Sequence, residues 1–211
     1  AFESVMDQGL KQADWSGFDQ RAAESARRGL WRGLGIATFL EWTGGNALEE
    51  NVNVRIMDDG VIEVFSAVAP MGQGIATSLA QLVVDVFGVP MSQVRIVLGD
   101  TDRGDGFGSA GSRSLFTGGS AVKEGSERSL AQARELAAKT LEVAGADLAY
   151  EAGRFQVKGT DIGLGLGELA QRQPDGRMHL ASTTKVSGPT WPNGCHVCEV
   201  EVDAATGHVE L

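Results

Sequence analysis

The stretch VNVRIMDDGVIEVFSAVAPMGQGIATSLAQLVVDVFGVPMSQVRIVL, residues 52–98, decides how the chain folds. Val52, Val54 and Ile56 alternate with Asn53, Arg55 and Met57, the period of a half-buried strand. Asp59–Gly60 supplies a tight turn, and Val61–Val68 runs back as the second arm of a hairpin. Pro70-Met71-Gly72-Gln73-Gly74 then leads into a helix. Ile75, Leu79, Leu82, Val83 and Val86 fall on one face of that helix, and Gly88-Val89-Pro90 ends it. Val94–Leu98 reads as a short buried strand.

Outward from this segment the pattern continues. Residues 2–13 and 18–29 read as helices, with Phe18, Ala22, Ala26 and Leu30 at a spacing of four. Residues 33–42 are an apolar, aromatic stretch that reads as a buried strand. On the other side, Gly99 to Gly119 has almost no apolar periodicity and holds seven glycines, the mark of a long functional loop. Residues 120–144 form a long helix whose inner face would be Leu130, Ala133, Leu136, Ala137 and Leu141. Ala149–Val157 is a hairpin turning at Glu151–Gly153, and Leu166–Gln171 is a short helix. This order predicts the α+β class, a mixed β-sheet packed with helices. Residues 1–181 would belong to one domain, and 182–194 to a linker or crossing loop. Residues 195–211 would begin a further strand hairpin, turning at Asp203–Gly207 and truncated at its return strand, as in a piece of a longer protein.

Composition narrows the function. With 18 basic and 28 acidic residues the formal charge is −10, which speaks against binding nucleic acid, since tracking phosphates needs clustered Lys and Arg. No apolar run reaches the roughly 18–20 residues needed to span a bilayer, and no signal peptide opens the sequence. Two cysteines are too few for a disulfide framework, so a reducing cytoplasm is the default expectation. Glycine is the outlier, 29 residues of 211, about twice the usual share of roughly 7%.

Two segments carry candidate chemistry. In Met71-Gly72-Gln73-Gly74, two glycines strip side chains from a helix N-terminus, so backbone N–H groups can meet an anion there. Gln73 adds an amide that donates and accepts. The segment is neither a P-loop nor a GxGxxG fingerprint, and a plain strand-to-helix turn would also explain it. In Gly111-Ser112-Arg113-Ser114, Ser112 and Ser114 offer hydroxyls and Arg113 a fork suited to phosphate, again ahead of a helix. A solvated loop with Ser/Thr caps is the plain alternative. Two such loops, each entering a helix, suggest one anionic ligand gripped from two sides.

Met-Gly-Gln-Gly-Ile, Ala80-Gln81-Leu82-Val83, Gly88-Val89-Pro90, Gly99-Asp100-Thr101-Asp102, Gly111-Ser112-Arg113-Ser114 and Gly118-Gly119-Ser120-Ala121-Val122 follow one another in register. Together they resemble the molybdenum-cofactor-binding large subunit of the xanthine dehydrogenase/aldehyde oxidase family, of the aerobic carbon monoxide dehydrogenase type. Ala13-Asp14-Trp15, Arg32–Ala37, Trp191-Pro192-Asn193-Gly194 and Glu199–Asp203 extend the likeness over nearly the whole sequence. The resemblance implies a molybdenum-cofactor-binding fold and an oxidoreductase that hydroxylates a carbon centre (an aldehyde, an N-heterocycle or similar) with oxygen from water. Its cofactor would be molybdenum–molybdopterin, often as a cytosine dinucleotide. Iron–sulfur clusters and FAD would sit on other subunits or domains. Met71, Gly72, Gln73 and Gly74 would touch the pterin side, and Gly111, Ser112, Arg113 and Ser114 the phosphate or nucleotide part. The implied partners are the remainder of the large subunit, iron–sulfur and flavin subunits and a small-molecule substrate, with no nucleic acid and no membrane. The family's subunit is several times longer, and its catalytic glutamate lies in the part not represented here, so no catalytic residue is assigned and the fragment alone should not turn over. Ile75 stands where relatives often carry histidine.

Other candidates are weaker. Gly165-Leu166-Gly167-Glu168 looks like a glycine-rich catalytic glutamate motif, yet Glu168 more simply serves a helix N-terminus. Cys195 and Cys198 lack a second ligand pair and would point to opposite strand faces, so no metal ligand is assigned. Asp100 and Asp102 suit loop capping. His179 and His208 lie in polar surroundings. Trp15, Trp31, Trp42 and Trp191 read as core or interface anchors. The rival functions are a free-standing binding or interaction module without redox chemistry, and a phosphate- or nucleotide-binding domain of another kind.

Overall fold

The computed structural model describes residues 2–45 and 47–211. They divide into two compact units, one of residues 43–190 and one that joins 1–42 to 191–211. The expected boundaries at 181 and 194 differ from this division.

In the larger unit the hairpin of residues 52–68 becomes β2 (Glu49–Met57) and β3 (Ile62–Ser66), once β1 (Leu30–Leu40) of the other unit is counted. The helix that follows is α3 (Ile75–Phe87), after α1 (Phe2–Gln12) and α2 (Phe18–Arg27). It returns the chain to β4 (Val94–Leu98), which pairs parallel to β3. The strand order is β4-β3-β2-β8, with β8 spanning Arg177–Lys185 and antiparallel to β2. The sheet is therefore mixed, as expected. β4 is half-buried at its edge.

Helix α4 (Gly119–Leu141) packs across this sheet. Its buried face holds Val122 and otherwise small residues, among them a stripe of Ala121, Gly125, Ser129, Ala133 and Ala137, while Leu130, Leu136 and Leu141 flank it half-buried. Small residues win the inner positions because the helix lies close: a Cβ on Gly125 would meet the Val52 side chain at 2.6 Å. A three-stranded meander, β5 (Leu148–Glu151), β6 (Arg154–Val157) and β7 (Gly163–Gly165), leads into α5 (Leu166–Gln171).

The Ser-Thr-Thr-Lys segment expected in a linker is strand instead. Ser182 and Thr184 turn inward and pair opposite Val52 and Glu50. Inward hydroxyls and β-branched threonines suit a strand as well as a loop, and the Ser182 hydroxyl accepts from Arg128 Nη1 at 3.0 Å.

In the smaller unit β1 pairs along eleven residues with β9 (Asn193–Asp203), and β10 (Val209–Glu210) adds to β9. The stretch expected as a buried strand at 33–42 is thus strand over Leu30–Leu40, exposed along its second half. Helices α1 and α2 cover one face of this sheet. Between them and the strands lies an ion-pair network: Arg21 donates to Glu199 at 2.7 and 2.9 Å, and Arg32 donates to Glu199 and Glu201 at 2.5 Å each. Ser25 and Arg28 also donate to Glu201. Hydrogen bonds from Arg21 and then Arg32 hold the Glu199 carboxyl at about 2, against an ordinary 4.5.

All four tryptophans belong to the smaller unit, so their fluorescence reports on it. A carboxylate whose folded pKa is depressed stabilises the fold above its unfolded pKa, and that stability is lost as the pH falls through the folded value. The urea midpoint read by tryptophan fluorescence should be level above pH 5 and fall steadily from about pH 4.5 towards 2. Glu199→Gln should lower it at pH 7 and flatten the acid slope; an unchanged slope would refute the assignment.

Candidate functional site

The two candidate loops leave the carboxyl ends of β3 and β4, adjacent parallel strands, where open α/β sheets gather ligands. They meet. Met71, Gln73, Ile75, Ser78, Gly111, Ser112 and Ser114 all line one cleft of about 400 Å³. A larger groove of about 630 Å³ between α3 and α4 is lined by none of the candidate loop residues.

Local chemistry shapes the first wall. Gly72 and Gly74 have φ of 89° and 73°, a left-handed backbone that residues with a Cβ adopt only at a cost. Gly74 is the N-cap of α3, and no side chain caps the helix. The N–H groups of its first turn are left for another acceptor, at the positive end of the helix dipole. The Gln73 amide works within its own loop: its Oε1 accepts from Met71 N at 2.6 Å, and its Nε2 donates to Ala69 O at 3.0 Å.

A serine that sequence reasoning missed, Ser109, joins the expected Ser114 in tying the second wall to the first. The Ser109 hydroxyl accepts from Ala69 N at 2.8 Å and from the Ser114 hydroxyl at 2.7 Å. Ser114 opens a π-helical turn, Ser114–Gly118, which runs into α4. Among the described residues neither Lys nor Arg lines the cleft, and no carboxylate does. An anion there would be held by backbone N–H groups and hydroxyls.

Arg113 corrects the expectation of a phosphate-gripping fork. Although its neighbours line the cleft, its side chain is fully buried and turned away. Nη1 donates to Glu50 Oε2 at 2.5 Å and to Gly108 O at 2.6 Å, Nη2 to Glu49 O at 2.8 Å, and Nε to Ala47 O at 3.1 Å. The guanidinium also lies over the Phe107 ring, 5.0 Å from its centre. Glu50 is as fully buried as Arg113. It was legible in principle, because the alternation of Val52, Val54 and Ile56 puts residue 50 on the core face, and a buried carboxylate demands a cation.

The other candidates fall away from the cleft. Glu168 accepts from Gly165 N at 2.6 Å, capping its own helix, and pairs with Arg154 at 3.1 Å. The backbone hydrogen bond, ahead of the Arg154 charge, lowers its pKa. Asp100 accepts from Asp102 N and Arg103 Nε, each at 3.1 Å, so it shapes its turn. Cys195 is half-buried and Cys198 exposed, and among the described residues no three His, Cys, Asp or Glu side chains gather as metal ligands.

Removing one partner of a buried ion pair strands the other. Arg113→Ala and Glu50→Ala should each cost about 3–5 kcal/mol in urea unfolding. The double substitution should cost clearly less than their sum; additivity would show that the pair is not coupled.

A family model described as a molybdopterin cofactor-binding domain matches residues 8–211. The carbon monoxide dehydrogenase large chain of Hydrogenophaga pseudoflava is 30% identical over 90% of this chain and 27% of its own length. The nicotine 6-hydroxylase large subunit of Paenarthrobacter nicotinovorans is 26% identical over 100% and 29%. Among solved structures, quinoline 2-oxidoreductase from Pseudomonas putida 86 superposes with a TM-score of 0.79 at 30% identity, covering 100% of this chain and 30% of that one. A Cu,Mo-CO dehydrogenase chain gives 0.77 at 26%, covering 99% and 29%. The chain thus spans under a third of the length of these relatives. By the match over residues 8–211, it belongs to the molybdopterin cofactor-binding domain family.

Proposed function

We propose that this chain is the cofactor-binding portion of a molybdenum hydroxylase large subunit. The observation that supports it is the cleft where a glycine-bearing loop and a glycine- and serine-rich one meet at the bare N-terminus of α3. Such a cleft suits a ligand that is planar and polar at one end and phosphorylated at the other. Met71, Gly72, Gln73 and Gly74 would lie along the pterin, while Gly111, Ser112 and Ser114 would face its phosphate or nucleotide end. Arg113 would act one step back, fixing the loop that presents them.

With no ligand set of His, Cys, Asp or Glu among the described residues, a metal would arrive already coordinated by the pterin. When bound, the group supplies oxidation of a carbon centre with water-derived oxygen. This chain's own part is to bind and orient it. The low pKa of Glu168 and its place outside the cleft do not suit a general base, so the base would come from elsewhere in the large subunit. Iron–sulfur and flavin subunits would take the electrons, in the cytoplasm, and the 211 residues alone would not turn over. Among the described residues no helix is long and apolar enough to cross a membrane.

Elemental and pterin analysis of the full-length protein from its native host tests this reading. About one molybdenum per chain, with pterin released on oxidation, is expected. Neither in a host that makes the cofactor would sink it. Gly74→Val forces a Cβ into left-handed backbone at the helix N-terminus and should lower pterin content at least tenfold with the fold retained by circular dichroism; full loading of the variant would remove the loop from the site.

A further inference from the structure

The sheet of the smaller unit is inside out. Residues opposite one another across β1 and β9 share a face, and the faces alternate along each strand. One face meets the helices: Arg32, Glu199 and Glu201 bond to one another and to α2, and Cys195 lies against Gly9 of α1. Apart from Asp203, which caps the turn that follows β9, the charges of these two strands are therefore turned inward.

The opposite face is formed by positions 31, 33, 35, 37 and 39 of β1, positions 194, 196, 198, 200 and 202 of β9, and Val209 of β10. None of these positions holds Asp, Glu, Lys or Arg. Trp31 is 69% exposed, Val209 56% and Phe39 47%. The Phe39 ring bends over Gly194 and stacks on His196, 5.6 Å between ring centres. Gly33 and Gly35 leave backbone bare enough for another element to approach closely. An uncharged, aromatic face of this breadth is the composition of a permanent interface, which resembles a core cut in half.

We infer that this face of β1, β9 and β10 is the seat of large-subunit polypeptide lying outside these 211 residues. The inference rests on the reading given under Proposed function. The relatives are more than three times as long as the part matched here, so a subunit of that length supplies ample further polypeptide to cover an apolar face on this portion. The absence of charge from the face argues against a steered, reversible partner and against any phosphate-bearing one.

The test uses the full-length protein with the photoreactive residue p-benzoylphenylalanine in place of Trp31, a position exposed enough to accept it. After irradiation, cross-linked peptides should join residue 31 to segments of the same polypeptide outside this stretch. In the unsubstituted protein Cys198 should react with a maleimide at least a hundredfold more slowly under native conditions than in urea. Cross-links to the same face of a second copy, to an iron–sulfur or flavin subunit, or none at all would overturn the inference, as would a Cys198 rate equal in both conditions. Pterin is measured on the same preparation. Pterin present without the internal cross-links removes the interface alone, whereas internal cross-links without pterin remove the cofactor reading alone.

Discussion

The buried pair of Arg113 and Glu50 is the contact on which the candidate site depends. Two charges removed from water tolerate no lasting separation, so the guanidinium's position follows β2, and the loop follows the guanidinium. Because the same side chain also donates to three carbonyls, including one from its own loop at Gly108, it converts a glycine-rich stretch of little intrinsic order into a wall of fixed shape. The serine bridge from Ser109 and Ser114 to Ala69 then passes that order to the loop ahead of α3. The cleft is built from backbone and hydroxyls, yet it is held by an ion pair that never faces it.

The two units solve the problem of stability differently. The larger one has an apolar core, with Val52, Val54, Ile56, Ile62, Val64, Leu79, Val83 and Phe87 almost fully buried. Among the described residues the smaller one has no buried hydrophobic residue, and its second helix is joined to its sheet by arginine–glutamate bonds. Such bonds weaken in acid and give little once solvated, whereas apolar burial is indifferent to pH.

Much of this was legible in the residues. The alternation from Val52 to Ile56, the Asp59–Gly60 turn and the apolar face of residues 75–86 led directly to β2, β3 and α3, because each is a local pattern with a local cause. Two segments misled for a shared reason. Ser182–Lys185 was expected in a linker since its hydroxyls are common in loops, and only the cross-strand partners at Val52 and Glu50 make it a strand. Residues 33–42 were expected to be buried because they are apolar, but hydrophobicity states a preference for burial without naming what provides it. At the site, glycines and serines flagged both loops correctly as neighbours. The role of Arg113 was misjudged because the strand alternation that marks Glu50 as a buried carboxylate does not name its cation, which lies 63 positions away.

Helix α4 carries a constraint of another kind. Its inner stripe, Ala121, Gly125, Ser129, Ala133 and Ala137, mixes apolar and polar residues that share small volume. What the sheet beneath demands there is thinness. Over evolutionary time this helix should drift freely between glycine, alanine and serine on that stripe while refusing anything larger. Divergence along it would be recorded in side-chain bulk and would pass unnoticed on any scale of hydrophobicity.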